Sequence, residues 1–146
     1  PVLPLSSGKG VALKEWRHLA TEQERDAAHA HNLRAIMLHR PESITDEAVT
    51  LQALNVARDR MRRRRLVTTT LFAVTAATLS CPTWLMYGRE DPACRAWDEL
   101  AARVRAFPAV RELQSLPGIG HWVQYEAPER INDYLIRLLQ QERRQA

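Results

Sequence analysis

Cysteine, glycine and aromatic residues are scarce in this chain, and long apolar runs are missing altogether. Its 146 residues hold two cysteines, Cys81 and Cys94. That is too few for the dense framework of a disulfide-stapled secreted domain, and no Cys-x-x-Cys spacing suggests zinc or redox work. Both are expected to be packed thiols. No uninterrupted stretch of about 18 apolar residues occurs, so no membrane-crossing helix is expected. The opening PVLPLSSGKG has neither the cationic start nor the long apolar stretch of a secretory signal. Together these absences lead to the expectation of a soluble, cytoplasmic chain with no membrane partner. Gly8-Lys9-Gly10 is followed by Val11, not by the Lys-Ser/Thr ending of a phosphate-binding loop, so a flexible connection is expected there. The chain opens on Pro1 rather than on methionine, which reads as a start inside a longer protein.

What is present suits a folded domain. Hydrophobic residues make up 45% and charged residues 26%, enough for a core and a soluble surface, which argues against disorder. The formal net charge of +4 and the run Arg62, Arg63, Arg64 and Arg65 raise the question of a nucleic-acid partner. The run closes an expected helix, where cations complement the dipole, and no aromatic-interleaved RNA motif or DNA-binding motif accompanies it. No nucleic-acid partner is expected. His29, His31 and His39 lack the carboxylate or cysteine spacing of a ligand set, so no metal is expected either.

Along the chain, one or two helices are expected between about Ala12 and His39, ending at Pro41. Ser43 and Thr45 are N-cap candidates for an amphipathic helix in which Ile44, Ala48, Leu51, Leu54, Ala57 and Met61 recur at three-to-four-residue spacing. A further helix is expected from about Val67 to Leu79. After Pro82 the pattern changes. Thr83-Trp84-Leu85-Met86-Tyr87 is a β-prone run stopping at Gly88, Ala93 to Phe107 is helical, and Val110 to Leu116 is a second short strand before the Pro117-Gly118 turn. A last helix is expected from about Pro128 to Gln140, with Ile131, Leu135, Leu138 and Leu139 as its buried stripe. The order strand, helix, strand, helix implies parallel strands joined by a right-handed crossover. Two strands leave most of a parallel sheet uncovered, so further strands are expected from elsewhere.

Two loops follow the two expected strands, Gly88-Arg89-Glu90-Asp91-Pro92 and Gly118-Ile119-Gly120-His121-Trp122. In open α/β sheets this carboxyl edge is where reactive groups collect. With Cys81-Pro82-Thr83 leading into Trp84-Leu85-Met86-Tyr87-Gly88, and with Gly120-His121-Trp122-Val123-Gln124-Tyr125-Glu126-Ala127-Pro128-Glu129, the chain resembles the C-terminal part of the α/β-hydrolase family. It is similar in particular to the ester and carbon–carbon bond hydrolases of aromatic degradation. The resemblance implies an α/β fold in which residues 1–80 are a helical cap with a preceding strand end and residues 81–146 are the C-terminal part of the core sheet. It implies that Asp91 is the triad acid and His121 the base, with Glu90 the competing acid that the Gly-x-x-Asp spacing disfavours. The substrate is expected to be a small molecule, with no cofactor, and Trp122 either lines its pocket or is plain core. A homo-oligomer is left open.

The family's nucleophile sits in Gly-x-Ser-x-Gly. Ser6, Ser7, Ser43, Ser80 and Ser115 all lack that frame. Three readings follow: part of a serine hydrolase, an inactive stand-alone remnant with a binding or structural role, or a helical interaction domain whose basic run meets an acidic partner.

Overall fold

The structure, a computed structural model, describes residues 12–59, 71–94 and 96–145. The PVLPLSSGKG segment, Met61 and the run Arg62 to Arg65 lie outside the described residues.

Helix α1 spans Glu22–Ile36 and is preceded by ten non-helical residues where helix was expected. Its start is a capping box. The Thr21 hydroxyl accepts from the Glu24 N–H, and the Glu24 carboxyl accepts from the Thr21 N–H. Helix α2 spans Asp46–Arg58, and of the two N-cap candidates Thr45 is the cap, its hydroxyl accepting from the Ala48 N–H. Ser43 instead ends a 3-10 turn over Pro41–Ser43. The two helices close on a cluster of Leu33, Leu38, Ala48 and Val49. The packed face of α2 is Ala48, Val49 and Gln52; of the expected stripe, Ala48 is buried and Ile44 packs on the cluster, whereas Leu51 and Leu54 are 41% and 47% exposed. Both sets have helical spacing; the position of α1 selects between them. Leu33 has no exposed surface. Leu33→Ala is expected to cost about 3 kcal/mol, a large-to-small loss with an unfilled cavity, measurable as a lowered urea midpoint.

After α3, Leu71–Ala77, the chain forms a βαβ unit. Strand β1, Thr83–Gly88, runs parallel to β2, Val110–Leu116, and they are joined through a 3-10 turn at Pro92–Cys94 and helix α4, Trp97–Arg105. Alternation along β1 sends Leu85 and Tyr87 to one face and Met86 to the other. On the first face they meet Cys94, Leu100 and Val104 from the turn and α4. On the second, Met86 meets Leu116, Ile119 and Ala127, with Val123 of α5, Val123–Glu126, and Ile131 of α6, Pro128–Gln145. The result is a mixed α/β arrangement with a two-stranded parallel sheet, compatible with part of an α/β domain.

Two expectations about burial are corrected. Cys94 is buried but Cys81 is exposed. In α6 the packed residues are Ile131 and Tyr134, with Leu138 half-buried, whereas Leu135 and Leu139 are 47% and 63% exposed. A two-stranded sheet is too narrow to cover the whole apolar arc of this helix, so part of that arc faces outward. Thr83 to Tyr87 are half-buried for a related reason, since each strand of a two-stranded sheet keeps one unpaired edge. Among the described residues, no helix is long and apolar enough to cross a membrane.

Candidate active site

The turns after β1 and β2 are laced together by main-chain hydrogen bonds. The Arg89 N–H donates to Leu116 O and the Glu90 N–H to Ile119 O, both at 2.9 Å. Parallel pairing of Gly88 with Leu116 brings the two strand ends level, so both turns leave the sheet at the same height. The approach is close. A Cβ on Gly88 would lie 1.9 Å from Gly120 O and 2.3 Å from Ile119 O, contacts that only glycine avoids.

This register brings Asp91 and His121 together across thirty residues of sequence. His121 Nδ1 lies 2.7 Å from Asp91 Oδ2. The other carboxyl oxygen, Oδ1, accepts from the Ala93 N–H at 2.8 Å, and the Asp91 carbonyl accepts from the Cys94 N–H. Asp91 is thus oriented by the 3-10 turn that follows it, with one oxygen held by backbone and one turned to the imidazole. The Asp91 side chain is 6% exposed, while that of His121 is 45% exposed. Glu90, the competing acid, is exposed and gives the histidine turn only its main-chain N–H.

The electrostatics follow from this geometry. Burial pushes the Asp91 carboxyl up, but hydrogen bonds from His121 and the Ala93 N–H, the imidazolium charge and the Cys94 thiol outweigh it, and the net displacement is downward. The hydrogen bond to Asp91 raises His121; burial opposes this and the carboxylate charge adds to it, leaving the imidazole above its ordinary value. Burial, with the Asp91 charge beside it, pushes the Cys94 thiol up to about 12, so it is a poor nucleophile. A pH dependence of stability follows. His121, raised on folding, contributes stability present below the unfolded imidazole value and lost as pH rises through its folded value. Asp91, lowered on folding, contributes stability present above the unfolded carboxyl value and lost as pH falls through its folded value. Stability from the pair is therefore expected to be greatest between the unfolded values of the two groups, to fall off on both sides, and to lose this dependence in Asp91→Asn. Urea midpoints measured across pH check it.

The histidine turn is also tied to the helical half of the molecule. The Trp122 N–H donates to Met37 O at 3.0 Å, and Thr45 Oγ1 lies 3.1 Å from Tyr125 Oη. Glu126 is 5% exposed, and its carboxyl accepts from the Gly120 N–H and, at 2.6 Å, from the Arg40 N–H. The Arg40 guanidinium donates to Gly118 O and to Glu126 O. Gly120 permits this seating, because a Cβ there would lie 2.8 Å from His39 N and 2.9 Å from Met37 O. Glu126 and Arg40 were not legible as site residues. The hints were that Glu126 falls within the Gly120–Glu129 segment that carries the resemblance, and that it is flanked by Tyr125 and Ala127 just before an amphipathic helix, since buried acids are rare enough to demand partners.

Trp122 is half-buried and packs on the Leu33–Leu38–Ala48–Val49 cluster, edge-on to Tyr125 at 6.0 Å between ring centroids. Its packing therefore joins the turn to the helices. The three histidines once considered as ligands are dispersed in role: His29 is buried against Trp16, His31 Nε2 is 3.3 Å from Ala12 O, and His39 is exposed. Among the described residues, no group of three or more His, Cys, Asp or Glu could hold a metal ion. Nor is any serine hydroxyl hydrogen-bonded to His121 among them.

Chemically, the arrangement is an imidazole whose Nδ1 is committed to a buried carboxylate, which leaves Nε2 as the nitrogen able to take up a proton. Compared with known proteins, the chain matches no family model and no curated sequence.

Proposed function

We propose that this chain carries the acid and base of a serine-type α/β-hydrolase acting on an ester or on a carbon–carbon bond next to a carbonyl. The observation that supports this best is the 2.7 Å contact between His121 Nδ1 and Asp91 Oδ2 at the carboxyl ends of two adjacent parallel strands. In this reading a serine from outside the described residues attacks the carbonyl carbon. His121 Nε2 takes the hydroxyl proton and returns it to the leaving group, and water then releases the acyl group by the same route. Asp91 fixes the tautomer with hydrogen on Nδ1 and stabilises the imidazolium formed in each half-reaction. The order acid then base along the chain suits a nucleophile upstream of both. The helices before β1, seated on the histidine turn, serve as the cap that shapes the substrate space.

The test is covalent labelling of the full natural polypeptide containing these residues with a fluorophosphonate probe. Labelling at one serine, abolished by His121→Ala and strongly slowed by Asp91→Asn, is the expected result. Labelling unaffected by either substitution overturns the proposal.

A further inference from the structure

Glu126 is a buried acid that the proton-transfer scheme does not use. Its two carboxyl oxygens accept from two main-chain N–H groups that belong to different halves of the molecule, Gly120 immediately before His121 and Arg40 in the middle of the connection from α1 to α2. Arg40 then closes the loop from its side chain, through Gly118 O and Glu126 O. The turn that carries His121 is thus held from behind by one side chain, and that side chain is satisfied only while the 37–40 segment is in place.

We infer that Glu126 is a positioning residue that holds the His121 imidazole against Asp91, so that seating of the helical segment on the histidine turn is a condition for a formed acid–base pair. The inference rests on the acid–base reading of Asp91 and His121. Its physical basis is that the main-chain position of Gly120 sets where the next Cα lies, and a hydrogen bond of 2.7 Å between two side chains tolerates little displacement. Loss of either N–H leaves a buried carboxyl under-satisfied, which is costly enough to favour movement of the turn. Glu126→Gln retains shape but supplies one acceptor and one donor where two acceptors are needed. The Gly120 and Arg40 N–H groups cannot both be accommodated.

The experiment follows the His121 ring by NMR in the full natural polypeptide labelled at histidine, reading its titration midpoint and the downfield proton on Nδ1. Four variants are compared. Asp91→Asn should bring the midpoint down toward the ordinary imidazole value of about 6.5 and abolish the downfield proton. Glu126→Gln should move the midpoint in the same direction and broaden or abolish that proton, with amide dispersion elsewhere retained. Arg40→Ala, which keeps the main-chain N–H but removes the guanidinium brace, should give a smaller shift of the same sign. Tyr125→Phe, which loosens the same junction at Thr45 without touching Glu126, should leave the midpoint unchanged.

A folded Glu126→Gln with the parental midpoint overturns the inference, as does a Tyr125→Phe shift as large as that of Glu126→Gln, which would mean general loosening. If Glu126→Gln does not fold, Arg40→Ala decides: an unshifted midpoint there overturns it. An Asp91→Asn midpoint equal to the parental one instead sinks the acid–base reading itself, so the two failures are separable.

Discussion

His121→Ala in the full natural polypeptide is expected to lower kcat for an ester substrate by on the order of 10⁴- to 10⁶-fold, with KM little changed. The imidazole is the group through which every proton of the proposed cycle passes, and enzymes built on a nucleophile, a base and an orienting acid lose nearly all of their chemical step when the base is removed. Asp91→Asn should cost about 10⁴-fold, because an amide at the Oδ2 position no longer selects the tautomer with hydrogen on Nδ1 and no longer stabilises the imidazolium. The two losses should not add, since both act through one imidazole ring, Asp91 at Nδ1 and the proton transfers at Nε2. Steady-state kinetics with a chromogenic ester measures the two single variants and the double variant His121→Ala with Asp91→Asn. Turnover near the parental value in His121→Ala would remove His121 from the chemistry, whatever its hydrogen bond.

Gly88→Ala is expected to destabilise the fold by about 3 kcal/mol or more and to open the acid–base pair as it does so. The added methyl would overlap the Gly120 and Ile119 carbonyl oxygens and the Gly120 carbonyl carbon, at 1.9, 2.3 and 2.7 Å. These are main-chain atoms held by the parallel pairing of Gly88 with Leu116 and by the Glu90–Ile119 hydrogen bond, so no side chain can swing aside to absorb the clash. The turn after β2 must therefore move away from the turn after β1, and His121 moves with it. Two readouts are expected to change together: a lowered urea midpoint and a His121 titration displaced toward that of a free imidazole. A variant as stable as the parent would show that the two turns separate without cost.

Under the proposed reading, the Glu126 clasp gives the helical half a part in holding the acid–base pair as well as in shaping the substrate space. The helical segment and the Asp91–His121 pair share a boundary made of Met37, Arg40, Gly120 and Glu126, and under the proposed reading changes in the helices at that boundary are expected to reach the imidazole through the backbone. Leu135, Ile136 and Leu139 on α6 are exposed, so the two strands leave part of the apolar arc of that helix uncovered.

Local chemistry was enough to read several elements directly. Thr83-Trp84-Leu85-Met86-Tyr87-Gly88 and Val110 to Leu116 are strands where β-branched, aromatic and alternating apolar residues lie between turn formers. Thr45 caps α2 because a hydroxyl at that position meets a free N–H whatever the rest of the fold does. The pairing of Asp91 with His121 followed from the two loops and from the family they resemble, not from spacing, for nothing within thirty residues of covalent chain brings them near. Which edge of the apolar arc of α2 and α6 is buried was read only in part, because two overlapping stripes satisfy the same helical period and only the neighbouring elements choose between them. The same holds for Glu126 and Arg40. An acid and an arginine 86 residues apart look like surface charges in the sequence, and become a clasp only when the chain returns. By itself, the sequence determined where both strands and most of the helices form and which residues have reactive side chains, since those depend largely on neighbours along the chain. Tertiary structure decided how closely those side chains meet and which others, such as Glu126 and Arg40, join them, because a hydrogen bond over 2.7 Å is set by the register of two strands and by the close approach that Gly88 and Gly120 allow.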